Sequence, residues 1–116
     1  MRASSKPQRG EVWHADLDPV RGHEQAGTRP VLIVSDDAFN SSPAQLVVAL
    51  PITSKPKNVR SHVAVSPPEG GLTRPSFIKC EDVRSLSIER LQGRIGRIED
   101  ATLLDVEYRL RVLLKL

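Results

Sequence analysis

Apolar residues between positions 11 and 98 fall into short runs rich in Val and Ile, separated by turn-forming residues. Glu11–Asp16, Val31–Ser35, Leu46–Ile52, His62–Val65, Ser76–Cys80 and Arg94–Ile98 each have the length and residue types of a β-strand. Asp18-Pro19, Arg21-Gly22, Gly27, Ser42-Pro43, Pro56, Pro67-Pro68 and Gly70-Gly71 punctuate them, and several connections are long enough to be working loops. From residue 101 the period changes. Leu103, Val106, Leu110 and Leu113 recur at helical spacing, and Leu104, Tyr108, Val112 and Leu116 widen the stripe, which predicts a terminal amphipathic helix. Asp100 is the predicted N-cap, and acids early in the segment with bases late in it suit the helix dipole. Short strands followed by one helix predict a mainly β fold: a small, strongly bent antiparallel sheet or barrel with the helix packed against it.

Composition narrows this picture. With 116 residues, 39% of them hydrophobic, the chain is expected to form a single domain, 10–116, behind a flexible basic tail, 1–9. No apolar run is long enough to span a bilayer, and Met1–Lys6 lacks the apolar stretch of a secretory signal, so a soluble, cytoplasmic protein is expected. The single cysteine, Cys80, cannot form an internal disulfide and is expected to be a small buried strand residue. Arg2, Lys6 and Arg9 match the formal net charge of +3, so the remainder is balanced overall. Its charge is nonetheless uneven: Lys55, Lys57, Arg60, Arg74 and Lys79 face only Glu69 between positions 55 and 79, a stretch suited either to a solvated loop or to phosphate.

Several chemistries lack their residues. No phosphate-loop signature, dinucleotide fingerprint or Cys-x-x-Cys pair is present, and His14, His23 and His62 show no metal-ligand spacing. The pairs Asp16/Asp18, Asp36/Asp37 and Glu81/Asp82 could hold Mg²⁺, although such pairs are more often turn and strand-end residues. Neither a metal nor a cofactor is expected. Two polar features adjoin apolar runs. Arg29 precedes Pro30, which restricts it to an extended backbone where a polar loop enters a buried strand. Thr53 and Ser54 end the run Leu46–Ile52 with two hydroxyls. A guanidinium binds phosphate in bidentate fashion and a hydroxyl can fix one of its oxygens, although both features are also ordinary at strand ends.

Longer blocks give these features a context. Arg9-Gly10-Glu11-Val12-Trp13, Asp16-Leu17-Asp18-Pro19, Gly22-His23-Glu24-Gln25-Ala26-Gly27-Thr28-Arg29-Pro30 running on to Ser35, Asn40 and Pro51-Ile52-Thr53-Ser54 resemble the MazF/PemK family of toxin endoribonucleases. Arg74–Arg84 and Arg90 through Gly96 are similar to its second half, so the resemblance spans roughly residues 9–116. It implies an SH3-like antiparallel barrel with a C-terminal helix, a homodimer, and metal-independent cleavage of single-stranded RNA at a short sequence. In that chemistry the ribose 2′-hydroxyl attacks phosphorus and leaves 2′,3′-cyclic phosphate and 5′-hydroxyl ends. Motif positions put the catalytic Arg at Arg29 and the catalytic Thr at Thr53.

A guanidinium is a poor base at neutral pH, so Glu24, in the same loop, is the candidate to deprotonate the 2′-hydroxyl, with the histidines as runners-up. RNA contacts are expected from Gln25, Phe39, Asn40, Ser54, Lys55, Lys57, Ser76 and Arg84, while Trp13, Phe77 and Tyr108 are expected in the core. Asp82 stands where many family members carry Gln. The family also implies a cognate antitoxin whose acidic, apolar tail would cover the basic groove around Arg29 and Lys55–Arg60. Two other readings share the fold: a gyrase-binding toxin of the CcdB type and a non-catalytic SH3-like binding module. The ending Leu114-Lys115-Leu116 lacks the Trp-Gly-Ile-like tail of the former.

Overall fold

A computed structural model describes residues 6–18 and 27–116. Seven strands form one bent antiparallel sheet: β1 (Glu11–Asp16), β2 (Thr28–Ile33), β3 (Leu46–Thr53), β4 (His62–Val65), β5 (Ser76–Lys79), β6 (Arg84–Ser87) and β7 (Leu91–Arg97). A one-turn helix, α1 (Asp37–Asn40), links β2 to β3, and the terminal helix α2 spans Asp100–Leu114. Laterally the order is β4-β5-β3-β2-β1-β7. The long β3 is the pivot: its first half pairs with β6 through Leu46↔Ser87 to Ala49↔Arg84, and its last two residues pair with β5 through Ile52↔Ile78 and Thr53↔Phe77. Handing one strand to two neighbours in succession bends the sheet into an open, barrel-like form.

The apolar runs are buried on both faces. Val12, Leu32, Leu50, Ile52, Val63, Ile78 and Cys80 pack with Val106 of α2, while Trp13, Ala15, Val31, Ile33, Val47 and Ala49 form a second cluster with Leu86. Adjacent residues of β1, β2 and β3 thus enter different cores, which explains why these strands are continuous in apolar residues instead of alternating with polar ones. Trp13 is buried as expected, and its indole N–H donates to the buried Glu11 carboxylate at 3.0 Å. Arg94 completes that site with an ion pair to Glu11 at 2.9 Å.

Several expectations require correction. β2 begins at Thr28 and not at Val31, because Pro30 sits where β2 pairs with β1 but not yet with β3, and a residue without an N–H is tolerated at such an edge. β7 begins at Leu91; the glycines and two register shifts against β1 hide its period. The edge strand β6, polar except for Leu86, has no apolar run or alternation long enough to predict it. Asp100 is the first helical residue instead of the N-cap. Glu99 occupies the cap without a side-chain bond, and the Glu69 carboxylate caps the helix from outside, accepting from the Glu99 N–H at 2.9 Å and the Thr102 hydroxyl at 2.6 Å. Only the Leu103, Val106 and Leu110 side of α2 meets the core. Leu104, Tyr108, Val112 and Leu116 are each more than 60% exposed, so Tyr108 is not a core residue.

Of the expected N-terminal tail, the described part lies against the domain: Pro7 is buried, and Arg9 bonds the Val34 carbonyl and the Glu107 carboxylate.

Candidate active site

Arg29 and Thr53 come together through strand register. Val31 pairs with Pro51, and Arg29 and Thr53 each lie two residues beyond that pair, in opposite directions along antiparallel strands. The loop entering β2 is pinned at its base: the Leu17 N–H donates to the Gly27 carbonyl at 3.0 Å and the Gly27 N–H to the Asp18 carboxylate at 3.0 Å. Ala15 then pairs with Arg29, so the position of the guanidinium's backbone is set by β1. Thr53 is buried at the end of β3, and its Oγ1 accepts the Lys55 N–H at 3.2 Å. That bond leaves its own hydroxyl proton available to donate.

Both residues line a cavity of about 540 Å³. Its wall is completed by His14 and Pro30, by Ser54, Lys55 and Lys57 after β3, by Gly71 to Arg74 and Ser76 before and in β5, and by His62, Lys79 and Ile95. Five cations, Arg29, Lys55, Lys57, Arg74 and Lys79, line it with no Asp or Glu among the described lining residues. Such an enclosure suits a polyanion with a phosphate near Arg29 and Thr53. Glu81 stands behind this wall. Burial alone would raise its carboxyl, but hydrogen bonds from Ser61 Oγ at 2.6 Å and the His62 ring at 2.8 Å, with the pull of His62, hold it below its ordinary value. His62 Nδ1 is buried without a partner among the described residues.

The other expected site residues divide. Ser54, Lys55, Lys57 and Ser76 share the cavity with Arg29 and Thr53; Ser76 also donates to the Arg74 carbonyl at 2.9 Å. Glu24, Gln25 and His23 lie outside the described residues. Asn40 is not positioned for RNA: it is 1% exposed, and its amide donates to the Ser35 carbonyl at 3.1 Å while its oxygen accepts the Ser35 hydroxyl. Phe39 lies on α1 and Arg84 on β6, neither in the cavity lining, and Arg84 pairs with Asp82 at 2.6 Å. His14, Arg74 and Lys79 are wall residues that the motif blocks did not single out. The signals in the sequence were the basic excess of 55–79 and the family-like block Arg74–Arg84 for Arg74 and Lys79, and for His14 its place among the runner-up bases.

Among the described residues no three His, Cys, Asp or Glu side chains form a metal-binding group. No helix of the described residues is long and apolar enough to cross a membrane. Cys80 is wholly buried, and burial, with Glu81 beside it, pushes its thiol up to about 12, so it is no nucleophile.

Known proteins are similar to this chain over nearly its full length. Residues 8–114 match the family described as PemK-like, MazF-like toxin of type II toxin-antitoxin system. The chain is 37% identical over 116 residues to endoribonuclease PemK of Escherichia coli, covering 98% of this chain and 86% of that one. It is 34% identical over 110 residues to endoribonuclease EndoA of Bacillus subtilis, covering 94% and 95%. Among solved structures, MazF from Deinococcus radiodurans superposes with a TM-score of 0.84 at 28% identity, covering 95% of this chain and 97% of that one. A mycobacterial endoribonuclease in complex with its cognate antitoxin superposes with a TM-score of 0.75 at 28% identity, covering 96% and 95%. The antiparallel sheet, the terminal helix and the full-length similarity therefore agree: this chain is a member of the PemK-like, MazF-like toxins of type II toxin-antitoxin systems.

Proposed function

We propose that this chain is an RNA-cleaving toxin that cuts single-stranded RNA at a short sequence without a metal ion, through attack of a ribose 2′-hydroxyl on the adjacent phosphorus. The observation that carries this reading is the cationic cavity in which Arg29 and Thr53 meet with no carboxylate among its described lining residues. As the 2′-oxygen attacks, negative charge grows on the non-bridging oxygens, where an oriented guanidinium stabilises it more in the transition state than in the ground state. Arg29 fills that role. Thr53 holds the phosphate by its free hydroxyl proton so that attack is in line. Glu24 takes the 2′-hydroxyl proton, and Ser54, Lys55, Lys57 and Ser76 hold the strand. The products carry 2′,3′-cyclic phosphate and 5′-hydroxyl ends.

Two partners follow from the family. Structural relatives form complexes with an antitoxin, and an acidic, apolar segment of a cognate antitoxin suits the charge of the cationic cavity. A second copy of the chain fits the solvent-facing stripe of α2, where Leu104, Tyr108, Val112 and Leu116 are exposed side by side at helical spacing. Sedimentation at twice the 12.8 kDa chain mass would support the homodimer, and a purely monomeric protein would reject it.

The deciding experiment incubates the purified protein with mixed-sequence RNA in excess EDTA, beside Arg29→Ala and Thr53→Ala, and analyses the fragment ends. Cyclic-phosphate and 5′-hydroxyl ends at one recurring sequence are expected, with each variant about 10²–10³-fold slower, corresponding to roughly 2–4 kcal/mol of barrier. Intact RNA with folded wild-type protein would overturn the reading in favour of a toxin that acts by binding a protein.

A further inference from the structure

Strand register divides the cavity into two halves, because paired residues, and residues two apart along a strand, share one face of a sheet. Ala15↔Arg29, Val31↔Pro51 and Thr53↔Phe77 put Arg29 and Thr53 on the face of the second core cluster, with Ala15 and Val31. His14↔Pro30, Leu32↔Leu50 and Ile52↔Ile78 put His14, Pro30 and Ile52 on the opposite face, that of the first cluster. Ser76 alternates with Phe77 and joins this second face, as do Leu72, a member of the first cluster, and Ile95, which packs against it. All six line the same cavity as Arg29 and Thr53. The halves meet where the sheet ends: only Thr28 precedes Arg29 in β2, and Thr53 is the last residue of β3.

The two halves differ in chemistry. The half with Arg29 and Thr53 offers a guanidinium and a hydroxyl, which suit phosphate. The other half is floored by Pro30, Ile52, Leu72 and Ile95 and edged by the imidazole of His14 and the hydroxyl of Ser76. An apolar floor gives a phosphate no compensation for lost water, whereas a nucleobase has a flat apolar face and a polar edge. Ser76 donates its proton to the Arg74 carbonyl at 2.9 Å, so its oxygen is left to accept from such an edge. His14 is exposed and has no hydrogen bond or ion pair among the described residues. Its partner on β7 is Gly93, which puts no side chain beside the imidazole and leaves one flank of the ring open.

We infer that this second half of the cavity seats one nucleobase next to the scissile bond, stacked on the imidazole of His14, while the phosphate stays on the other face between Arg29 and Thr53. The inference rests on the RNA-cleaving reading above. The ribose passes over the end of β2 and β3, so a single nucleotide reaches both faces of the sheet. His14 touches the base and not the reacting atoms. Its contribution is to hold the nucleotide in place, and it is carried by the flat ring.

The test starts from the sequence at which the wild-type protein cuts RNA. Three oligonucleotides of that sequence carry 2′-deoxyribose at the cut, so that none is cleaved: one is complete, one lacks the base 5′ of the scissile phosphate, and one lacks the base 3′ of it. Binding is measured by fluorescence anisotropy for wild type, His14→Ala and His14→Phe. On the complete oligonucleotide His14→Ala is expected to bind about tenfold more weakly than wild type, the loss of one stacked base, and His14→Phe within about threefold of it. On one of the two abasic oligonucleotides wild type and His14→Ala should bind alike, because the base that stacks is missing, and on the other the tenfold gap should persist, which a general structural defect would not produce. A gap that persists on both abasic oligonucleotides, or closes on both, would overturn the inference. Wild-type binding of the complete oligonucleotide by His14→Ala, or no recovery in His14→Phe, would overturn it as well. If wild-type protein cuts no RNA, the RNA-cleaving reading itself falls first, and the role of His14 with it.

Discussion

Cys80 and Glu81 are adjacent in sequence, yet their surroundings push their acidities in opposite directions. Burial pushes the Cys80 thiol up to about 12, so it stays protonated in the folded chain through neutral pH. It is expected to resist iodoacetamide at pH 8 and to react once urea unfolds the protein; rapid labelling of native protein would contradict its burial. The unfolded thiol ionises near its ordinary value of 9.0 and the folded one near 12, so this group adds stability below pH 9 that is lost progressively as pH rises from there toward 12. For Glu81 the sign reverses. Its folded carboxyl is held below 4.5, so its contribution is present above that pH and is lost as pH falls through the lowered value. Urea midpoints at pH 6 and pH 3.5 should differ less in Glu81→Gln than in wild type; an equal difference would show that Ser61 and His62 do not hold the carboxylate as described.

At the scale of elements, the cavity depends on a contact between a loop and a strand. An added Cβ at Gly96 of β7 would lie 2.6 Å from the Gly70 carbonyl carbon, and one at Gly71 would lie 2.3 Å from the Ile95 oxygen at a φ of +72°. Backbone cannot yield as a flexible side chain does, so the 69–71 turn and β7 pack together only as glycines. The same turn carries Glu69, the external cap of α2, and leads into the wall residues Leu72 to Ser76. Gly96→Ala is therefore expected to destabilise the fold by about 2 kcal/mol or more in chemical denaturation, through overpacking against backbone. Glu69→Ala should cost about 1 kcal/mol, the value of a helix cap. If Gly96→Ala unfolded at the wild-type midpoint, the close approach would be refuted.

Across the whole molecule, charge is sorted by place. A formal net charge of +3 is unremarkable, but five cations share one cavity whose described lining has no carboxylate. RNA affinity should consequently fall with salt. Measured on an oligonucleotide with 2′-deoxyribose at the cleavage site, which cannot be cut, the triple change Lys55, Lys57 and Arg74 to Ala should lower the log–log salt slope by about 2, near 0.7 per lost phosphate contact. An unchanged slope would place the RNA elsewhere.

Much of this architecture was legible because its signals are local. Val- and Ile-rich runs, the Arg29-Pro30 entry, the Thr53-Ser54 end and the periodicity after residue 101 each depend on neighbours a few positions away, and the family motifs are likewise contiguous. Those local patterns determined six of the seven strands, the terminal helix, the pairing of Arg29 with Thr53 as the candidate centre and the family. Where the outcome depended on residues far apart in the chain, only tertiary packing decided it. Asn40 lost its place in the site because Ser35 takes up its amide. The cap of α2 came from Glu69, 30 residues away. Tyr108 and its stripe stayed in solvent because the sheet covers one side of α2 alone. His14, Arg74 and Lys79 joined Arg29 and Thr53 because a single bent sheet brings β1, β2, β3 and β5 to one cavity. A burial pattern along one strand records that a side chain is enclosed, but which distant residues enclose it is set only when the strands pair.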